Sequence, residues 1–423
     1  MTQPVIQVLV GFQSTTAFGQ PFILDDAVNG VLNTTGRGTL GGITYVDLTS
    51  LVQNINIGRG RSRQLQEFQS GQATVTFWNK GRSLDPLNTS SPYWIGSPST
   101  GTTGIQPRLP IIINANGITI YTGLITSWNL DYDLANNDLM FAQCSDNFTV
   151  FANLQLNAHT TTQESTSTRI NNVLAYSEVN YQGARSVSTG SSTLGGTAAS
   201  ANFSIAQDTN LLNYIQQITS SEQGQVYMAA NGTFTWKGRG TVLTASAATF
   251  NGDGTGLAFQ TLQNQFGDTL LYNYVITQSP AGAVQTTSNA ASIAQNQTQT
   301  YSDTNLLNST TAEVAGLGNY VLGKYATPVL RFTGLTTELG ALTTANQNTA
   351  LNLDLTSIAT VVKNFVTGAP SSSTQVLMVS GVSHNITPTS HLVSYNFEST
   401  DQLGFFTLNN ALWGILDTNL LSF

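Results

Sequence analysis

The chain has 423 residues, a net charge of −8 and only 9% charged residues, against about 25% in an ordinary soluble protein. Thr, Ser, Asn, Gln and Gly stand where charges would be, while 19 Phe, 14 Tyr and 5 Trp set it apart from disordered chains, which are rich in charge and poor in aromatics. The acidic balance excludes a general nucleic-acid binder, and the lone cysteine, Cys144, excludes an intramolecular disulfide framework and a cysteine-based metal site.

The length predicts two to four domains. No apolar run approaches the roughly 18 residues of a membrane span. Thr2-Gln3-Pro4 lacks the basic region of a signal peptide, so synthesis and folding in a reducing cytoplasm are expected. A polar, uncharged surface suits assembly, because neutral amides and hydroxyls cost less to desolvate than charges do.

Val5–Phe12 reads as a strand, Phe22-Ile23-Leu24 ends in Asp25-Asp26, and Gly36 to Gly42 is a glycine-rich connection. Ile43–Leu51 reads as a strand in which Asp47 caps a turn. Next come Arg59, Arg61 and Arg63, at alternate positions that predict one face of an extended segment. The run Ala73–Trp78 alternates, with Ala73, Val75 and Phe77 on one side. Lys80 and Arg82 follow, so five of the fourteen Lys and Arg residues fall between positions 59 and 82. Residues 86–107 are a loop around Ser91-Pro92-Tyr93-Trp94. Leu109–Asn114 and Ile118–Gly123 form a hairpin about Asn116-Gly117, and Leu124–Tyr132 and Asp138–Cys144 another across Ala135-Asn136-Asn137. Residues 1–154 are thus a β-barrel or sandwich.

The pattern then changes. A helix carries Ile170, Val173 and Leu174 with Thr168 as N-cap. A second starts at Asp208 or Thr209, carries Leu211, Leu212, Ile215 and Ile218, and ends at Gly224. Gln225–Met228 and Thr233–Lys237 pair about Asn231-Gly232, making residues 155–240 an α+β module. In 241–423 strands return. Gly252 to Gly256 is a flexible turn, since Asp253 is one carboxylate against the roughly six to eight oxygens that calcium takes. Leu270–Thr277 is a strand, and 281–300 is polar and mobile. Thr310 and Glu313 form a capping box for a helix near 310–326, with Val314, Leu317, Val321 and Tyr325 on one face and Pro328 as its stop. Val329–Leu335, Ala350–Leu355, Ala359–Val366, Gln375–Ile386 and His391–Ser399 read as strands. The apolar tail Phe405–Asp417 needs a surface to dock on. The predicted fold class is mainly β with a small α+β module.

Chemistry is scarce. His384 and His391 flank the turn Asn385 to Ser390 and are expected to come close across it; a hairpin-surface role is favoured over a metal pair, which has no third ligand at suitable spacing, and His159 lies in a linker. Asp131 and Asp133 share a strand face, and nothing marks them as paired acids. Neither a nucleophile elbow nor a phosphate-binding loop occurs. No enzyme, cofactor or metal is expected. The arginine cluster has two main readings: a solvated strand face or a set of intrachain salt bridges, and an electrostatic seam against an acidic partner subunit. DNA contact ranks third, because no wider basic field accompanies it.

Seven pieces in order carry a resemblance: GRGRSRQL at Gly58–Leu65, QSGQATVTFWN at Gln69–Asn79, R-x-x-D-P at Arg82–Pro86, SPY at Ser91–Tyr93, P-R-L-P-I at Pro107–Ile111, YTGLITSW at Tyr121–Trp128 and C-S-D-N-F at Cys144–Phe148. Ser221-Glu222-Gln223-Gly224 with Tyr227, His384-Asn385-Ile386-Thr387 and Phe406–Asp417 extend it to about two-thirds of the chain. The sequence resembles the minor tail proteins of long-tailed bacteriophages, which are similar to the central hub of baseplates and tail tips. The resemblance implies tail-tube-like barrels in 1–154 and 241–423 with 155–240 inserted, and a homotrimer whose paired barrels continue the sixfold tube. Its partners would be the tail tube, distal tail protein, tape measure, and fibres or spikes, with DNA passing through the lumen of a virion tail tip. Arg59, Arg61, Arg63, Phe405, Phe406 and Trp413 would sit at subunit interfaces. Competing readings are a distal-tail ring protein, a receptor-binding adhesin and a tail-associated hydrolase, the last lacking a catalytic constellation.

Overall fold

Alternation along a strand buries one face and leaves the other to solvent, and this builds the main sheet. In Gln69–Trp78 the expected set, Ala73, Val75 and Phe77, is buried and Trp78 is exposed. The computed structural model of the chain describes residues 2–13, 43–134, 137–196, 203–239, 241, 245–280 and 282–400. Among them a fourteen-stranded sheet carries a mainly β fold. Numbered along the chain, its strands are β1 (Ile6–Gln13), β2 (Ile43–Asp47), β3 (Val52–Gly60), β4 (Gln69–Trp78), β5 (Pro110–Ala115), β6 (Ile118–Asp131), β7 (Leu139–Ser145), β8 (Ala248–Asn251), β9 (Leu257–Ala258), β10 (Thr261–Gln265), β11 (Arg331–Glu338), β12 (Ile358–Asn364), β13 (Ser372–Thr387) and β14 (Ser390–Ser399).

The first seven strands pair in the order β3-β4-β7-β6-β5-β1-β2. The two ends of that path are one bent stretch of chain, because β2 runs into β3 through a helical turn at Thr49–Leu51. Asp47 caps the turn by accepting from the Thr49 amide at 2.9 Å, and the Thr49 hydroxyl accepts from the Val8 amide at 2.9 Å. The bend closes these strands into a barrel. The last seven strands repeat the order with each number raised by seven: β10-β11-β14-β13-β12-β8-β9. Again the ends are one bent stretch, with only Phe259 and Gln260 between β9 and β10. The Gln260 amide donates to the Thr336 carbonyl at 2.8 Å and holds the bend. One bulge is repeated as well, falling at Thr126 in β6 and Ser380 in β13, whereas those in β3–β4, β5–β6 and β10–β11 are not. The first strand differs: β1 is antiparallel to both neighbours, whereas β8 is parallel to both of its own.

β13 joins the barrels. Its first half pairs with β12, and farther along it takes β3 of the first barrel, from Gly381 opposite Gly60 to Ile386 opposite Ile55. The glycines permit this approach. A Cβ on Gly60 would sit 2.3 Å from the Ser380 carbonyl oxygen, and the Gly60 φ of +99° is one that L side chains rarely adopt. A Cβ on Gly381 would sit 2.8 Å from the Arg61 carbonyl oxygen.

The segment after β7 holds helices Thr166–Ala175 and Leu211–Glu222 over a small sheet of Arg185–Val187, Phe234–Lys237 and Gln225–Met228. Trp236 is fully buried there and donates to the Thr219 hydroxyl at 3.1 Å. One apolar core runs through this segment and both barrels. A further excursion between β10 and β11 folds on its own small core of Leu270, Val275, Val321 and Tyr325.

Several expectations are corrected. Residues 282–300 are structured, with a strand at Gln285–Ser288 and a helix at Ala290–Asn296 capped by Asn289. Their polarity misled because this excursion is thin and half-exposed. Ala350 lies in the helix Thr344–Leu351, capped by the Thr343 side chain at the Asn346 amide, so no strand runs through 350–355. Ser165, rather than Thr168, caps Thr166–Ala175, and Asn210, rather than Asp208 or Thr209, caps Leu211–Glu222. That second helix ends on Gln223 at φ +53°, one residue before Gly224. Thr310 and Glu313 do cap Thr311–Tyr325, and Asn116-Gly117 does turn the β5–β6 hairpin with both φ positive. Phe22–Leu24 and Gly36–Gly42 lie outside the described residues.

Two substitutions test the glycine crossing. Gly60→Ala is expected to cost about 2–3 kcal/mol or more in denaturant unfolding, from positive-φ strain plus the backbone collision. Gly58→Ala, where a Cβ meets nothing within 4 Å, should stay within about 0.5 kcal/mol. Equal costs would refute the crossing as the constraint.

Candidate functional site at the seam between the barrels

The three arginines do not share a strand face. β3 ends at Gly60, whose positive φ turns the chain, so only Arg59 lies in the strand. Arg59 is buried, with Nη2 2.7 Å from Asp354 Oδ1. Arg61 reaches Glu398 with two prongs, Nε to Oε1 at 2.6 Å and Nη2 to Oε2 at 2.7 Å, and its guanidinium lies 4.6 Å from the Phe68 ring centroid. Arg63 is exposed. Asp354 precedes β12 and Glu398 lies in β14, so both pairs run from the first barrel to the second. The structure thus brings Arg59 and Arg61 to acids of their own chain. Phe405, Phe406 and Trp413 lie outside the described residues.

Asp354 ties a third part to the seam. Its Oδ2 accepts from the Ala230 amide in the turn of the inserted hairpin at 2.8 Å. Beside it, the Tyr227 hydroxyl lies 2.8 Å from the Thr356 hydroxyl, and Lys237 Nζ donates to that hydroxyl at 2.7 Å. Burial pushes Tyr227 up to about 12 and Lys237 down, the nearby Asp354 carboxylate opposing the fall at Lys237. On the other side, burial raises Asp146, partly offset by donation from the Ser70 hydroxyl and the Gly71 and Phe148 amides and by the Arg59 charge. Asp354 and Glu398 were missed in the sequence because nothing local links an arginine to an acid 337 positions away.

The remaining candidates are structural. Arg82 pairs with Asp85 at 2.6 Å, and the Lys80 ammonium lies 5.7 Å from the Trp78 ring centroid. Burial acts to raise Asp85, but the Leu87 amide and Arg82 outweigh it and hold the carboxyl low. Asp131 and Asp133 are exposed at the end of β6. His159 stacks on Tyr176 at 3.8 Å and pairs with Glu178 at 2.7 Å.

His384 and His391 do meet, with Nδ1 and Nε2 3.1 Å apart, but inside the protein rather than on its surface. His384 shares a strand with the buried Val382 and Ile386, and the alternation turns it inward with them. Burial drives His384 well below the ordinary histidine value, with His391 and Arg59 adding to it. Burial likewise brings His391 down to about 4, against the pull of Glu338. Among the described residues no three His, Cys, Asp or Glu side chains come together in a metal-binding group. A cavity of about 90 Å³ opens beside Arg61 and Glu398, lined also by Glu67, Tyr301, Tyr320 and Lys324. It is well below the roughly 300–1,000 Å³ of a small-molecule site.

Two barrels of one strand order, fused through a shared strand and pinned by buried ion pairs, define a double-barrel scaffold. Its neighbours among solved structures include tail proteins. The 43 kDa tail protein of prophage MuSo2 from Shewanella oneidensis is 11% identical with a TM-score of 0.50, over 86% of this chain and 97% of that one. The tail protein from Neisseria meningitidis MC58 is 9% identical with a TM-score of 0.53, over 85% and 94%. The likeness is one of fold. No family model and no curated protein sequence matches the chain.

Arg61→Met should cost about 3–5 kcal/mol, because it leaves Glu398 buried and unpaired. Arg61→Met with Glu398→Leu should recover a large part of that, so a double-mutant cycle in denaturant measures the pair, and additive losses would refute it.

The histidine pair sets an acid limit. Both groups are depressed when folded, so below the ordinary value of 6.5 the unfolded chain binds more protons. Stability should therefore fall as pH drops from 6.5 towards about 4, by up to about 1.4 kcal/mol per pH unit for each histidine. His384→Gln with His391→Gln should flatten that slope in unfolding series at several pH values. An unchanged slope would assign the acid sensitivity to carboxylates.

Proposed function

We propose that the chain is the tail-tip, or baseplate, hub of a long-tailed bacteriophage. It would be a structural virion component that joins the tail tube to host-attachment parts and forms part of the DNA channel. The observation that carries this reading is the duplicated barrel. Three copies of a two-barrel chain present six similar barrels and so fit a sixfold tube above and threefold parts below. The reading takes 1–154 and 241–423 as the tube-like domains and 155–240 as the insert. Its neighbours in the tail would be the tube, the distal tail protein, the tape measure, and fibres or spikes. A chain of net charge −8 suits a lumen that passes DNA, because a basic wall would hold the phosphates. The role is that of a scaffold: the buried charges at the seam are engaged in holding parts together, and the cavity beside them is small.

Native mass measurement on the purified protein, followed by particle averaging, tests this. The expected particle is three times 45.0 kDa with a central channel. A sixfold ring would point instead to the distal-tail position, and binding of the isolated protein to host cells to an adhesin.

A further inference from the structure

We infer that two sheet edges on opposite barrels pair between copies of this chain: β10 of one copy lies against the second half of β6 of the next. The inference rests on the self-assembling reading above and names its contact.

The argument is the internal repeat. Within the chain the seam is β3 on β13, and raising or lowering each number by seven gives β10 and β6. Strands β6 and β13 align residue by residue about their shared bulge. The bulge at Thr126 corresponds to that at Ser380, and the pair Ile125 opposite Cys144 to Val379 opposite Phe397. Trp128 thus corresponds to Val382, Leu130 to His384 and Tyr132 to Ile386. In the other strand, Asn56 lies opposite Thr74, which pairs with Gln143. Gln263 lies opposite Gly334, which pairs with Asn396. Thr333 bulges from β11 just beyond that pair, without a counterpart at that point of β4, while β10 itself runs on without an extra residue. Counting along β3 and β10 then matches Ile57 to Asn264, Gly58 to Gln265, Arg59 to Phe266 and Gly60 to Gly267.

Burial separates the two copies. Ile57 and Arg59 are buried under β13, whereas Asn264 and Phe266 are exposed, Phe266 to 71%. Ile386 is buried under β3, whereas Tyr132 is 54% exposed. Among the described residues, β10 pairs only with β11, and β6 beyond Ile125 pairs only with β7. Two unpaired edges with large apolar side chains therefore stand where the chain's own repeat already shows how such edges combine. Transferring the register of the internal seam puts Gln265 opposite Asn129, as Gly58 is opposite Ser383, and Phe266 opposite Trp128, as Arg59 is opposite Val382. The contact joins unlike surfaces, so each copy keeps one free edge of either kind until a ring closes.

Cysteine cross-linking of the full chain tests this, with the native Cys144 buried. Facing residues in such a pair have Cα atoms roughly 4.5–5.5 Å apart, within disulfide reach. Gln265→Cys mixed with Asn129→Cys should give covalent dimers on mild oxidation, neither should do so alone, and the double variant should give a covalent closed oligomer. Gly58→Cys with Ser383→Cys, expected to bridge within one chain, checks the geometry. Phe266→Asp should raise the concentration needed for assembly by about tenfold or more. If the native oligomer forms and the control bridges but the mixture does not, the edge pairing is wrong and self-assembly stands. If either single variant dimerises alone, the contact joins like with like and the inference fails. A chain monomeric at every concentration overturns both.

Discussion

The crossing of β3 over β13 at Gly60 and Gly381 is the contact on which the rest depends. Two strands from different barrels approach there until a side chain on either glycine would strike the other's backbone. The approach lets β13 take β12 and then β3 as partners, so the barrels share hydrogen bonds as well as an apolar core. It also sets the charges. Arg59 and Arg61 flank Gly60, and the crossing delivers them to Asp354 and Glu398. Buried there without those acids, each guanidinium would cost several kcal/mol.

Charge is rationed in this protein, and much of it is spent inside. Arg169 is fully buried, paired with Glu164 and hydrogen-bonded to the Tyr214 hydroxyl and the Thr162 carbonyl. Glu222 is also fully buried, where burial acts to raise its pKa but donors from Thr166, Ser191 and Ser192 outweigh that and hold it low. Such groups contribute little net stability compared with apolar residues of the same size, but an arrangement that separates one from its partner leaves a buried charge uncompensated. Arg59 with Asp354 fixes barrel to barrel and insert to both. Arg61 with Glu398 fixes the end of β14 to the turn after β3.

Local signals were legible in the sequence, and pairings were not. The alternation at Ala73–Phe77, the Asn116-Gly117 turn, the Asp47 turn and the Thr310 and Glu313 cap depend on residues within a few positions of each other. The mainly β class follows from them. The arginines were visible as a cluster, but their face was misjudged because a strand pattern cannot register a glycine at positive φ. Their acids lie hundreds of positions away. The histidine pair was seen as close and misplaced on the surface, since burial depends on which sheet covers a hairpin. The strand and helix of 282–300 escaped because a thin excursion needs few apolar residues.

The repeat was invisible for a related reason. Corresponding positions hold Ile57 and Asn264, Arg59 and Phe266, or Leu130 and His384, so residue identity preserves nothing. What persists is backbone: the order of pairing, the bent strand that closes each ring, and a bulge at the same place in β6 and β13. A strand edge left permanently in water is usually blunted with lysine, proline or a strong twist. Residues 261–267 read TLQNQFG and 126–132 read TSWNLDY, with one charge, Asp131, and no proline between them. Neutral amides satisfy a bare edge in water and can be desolvated cheaply when another strand arrives. The scarcity of charge across the chain and the lack of lysine or proline at these edges then have one physical explanation, a sheet composed to keep accepting strands.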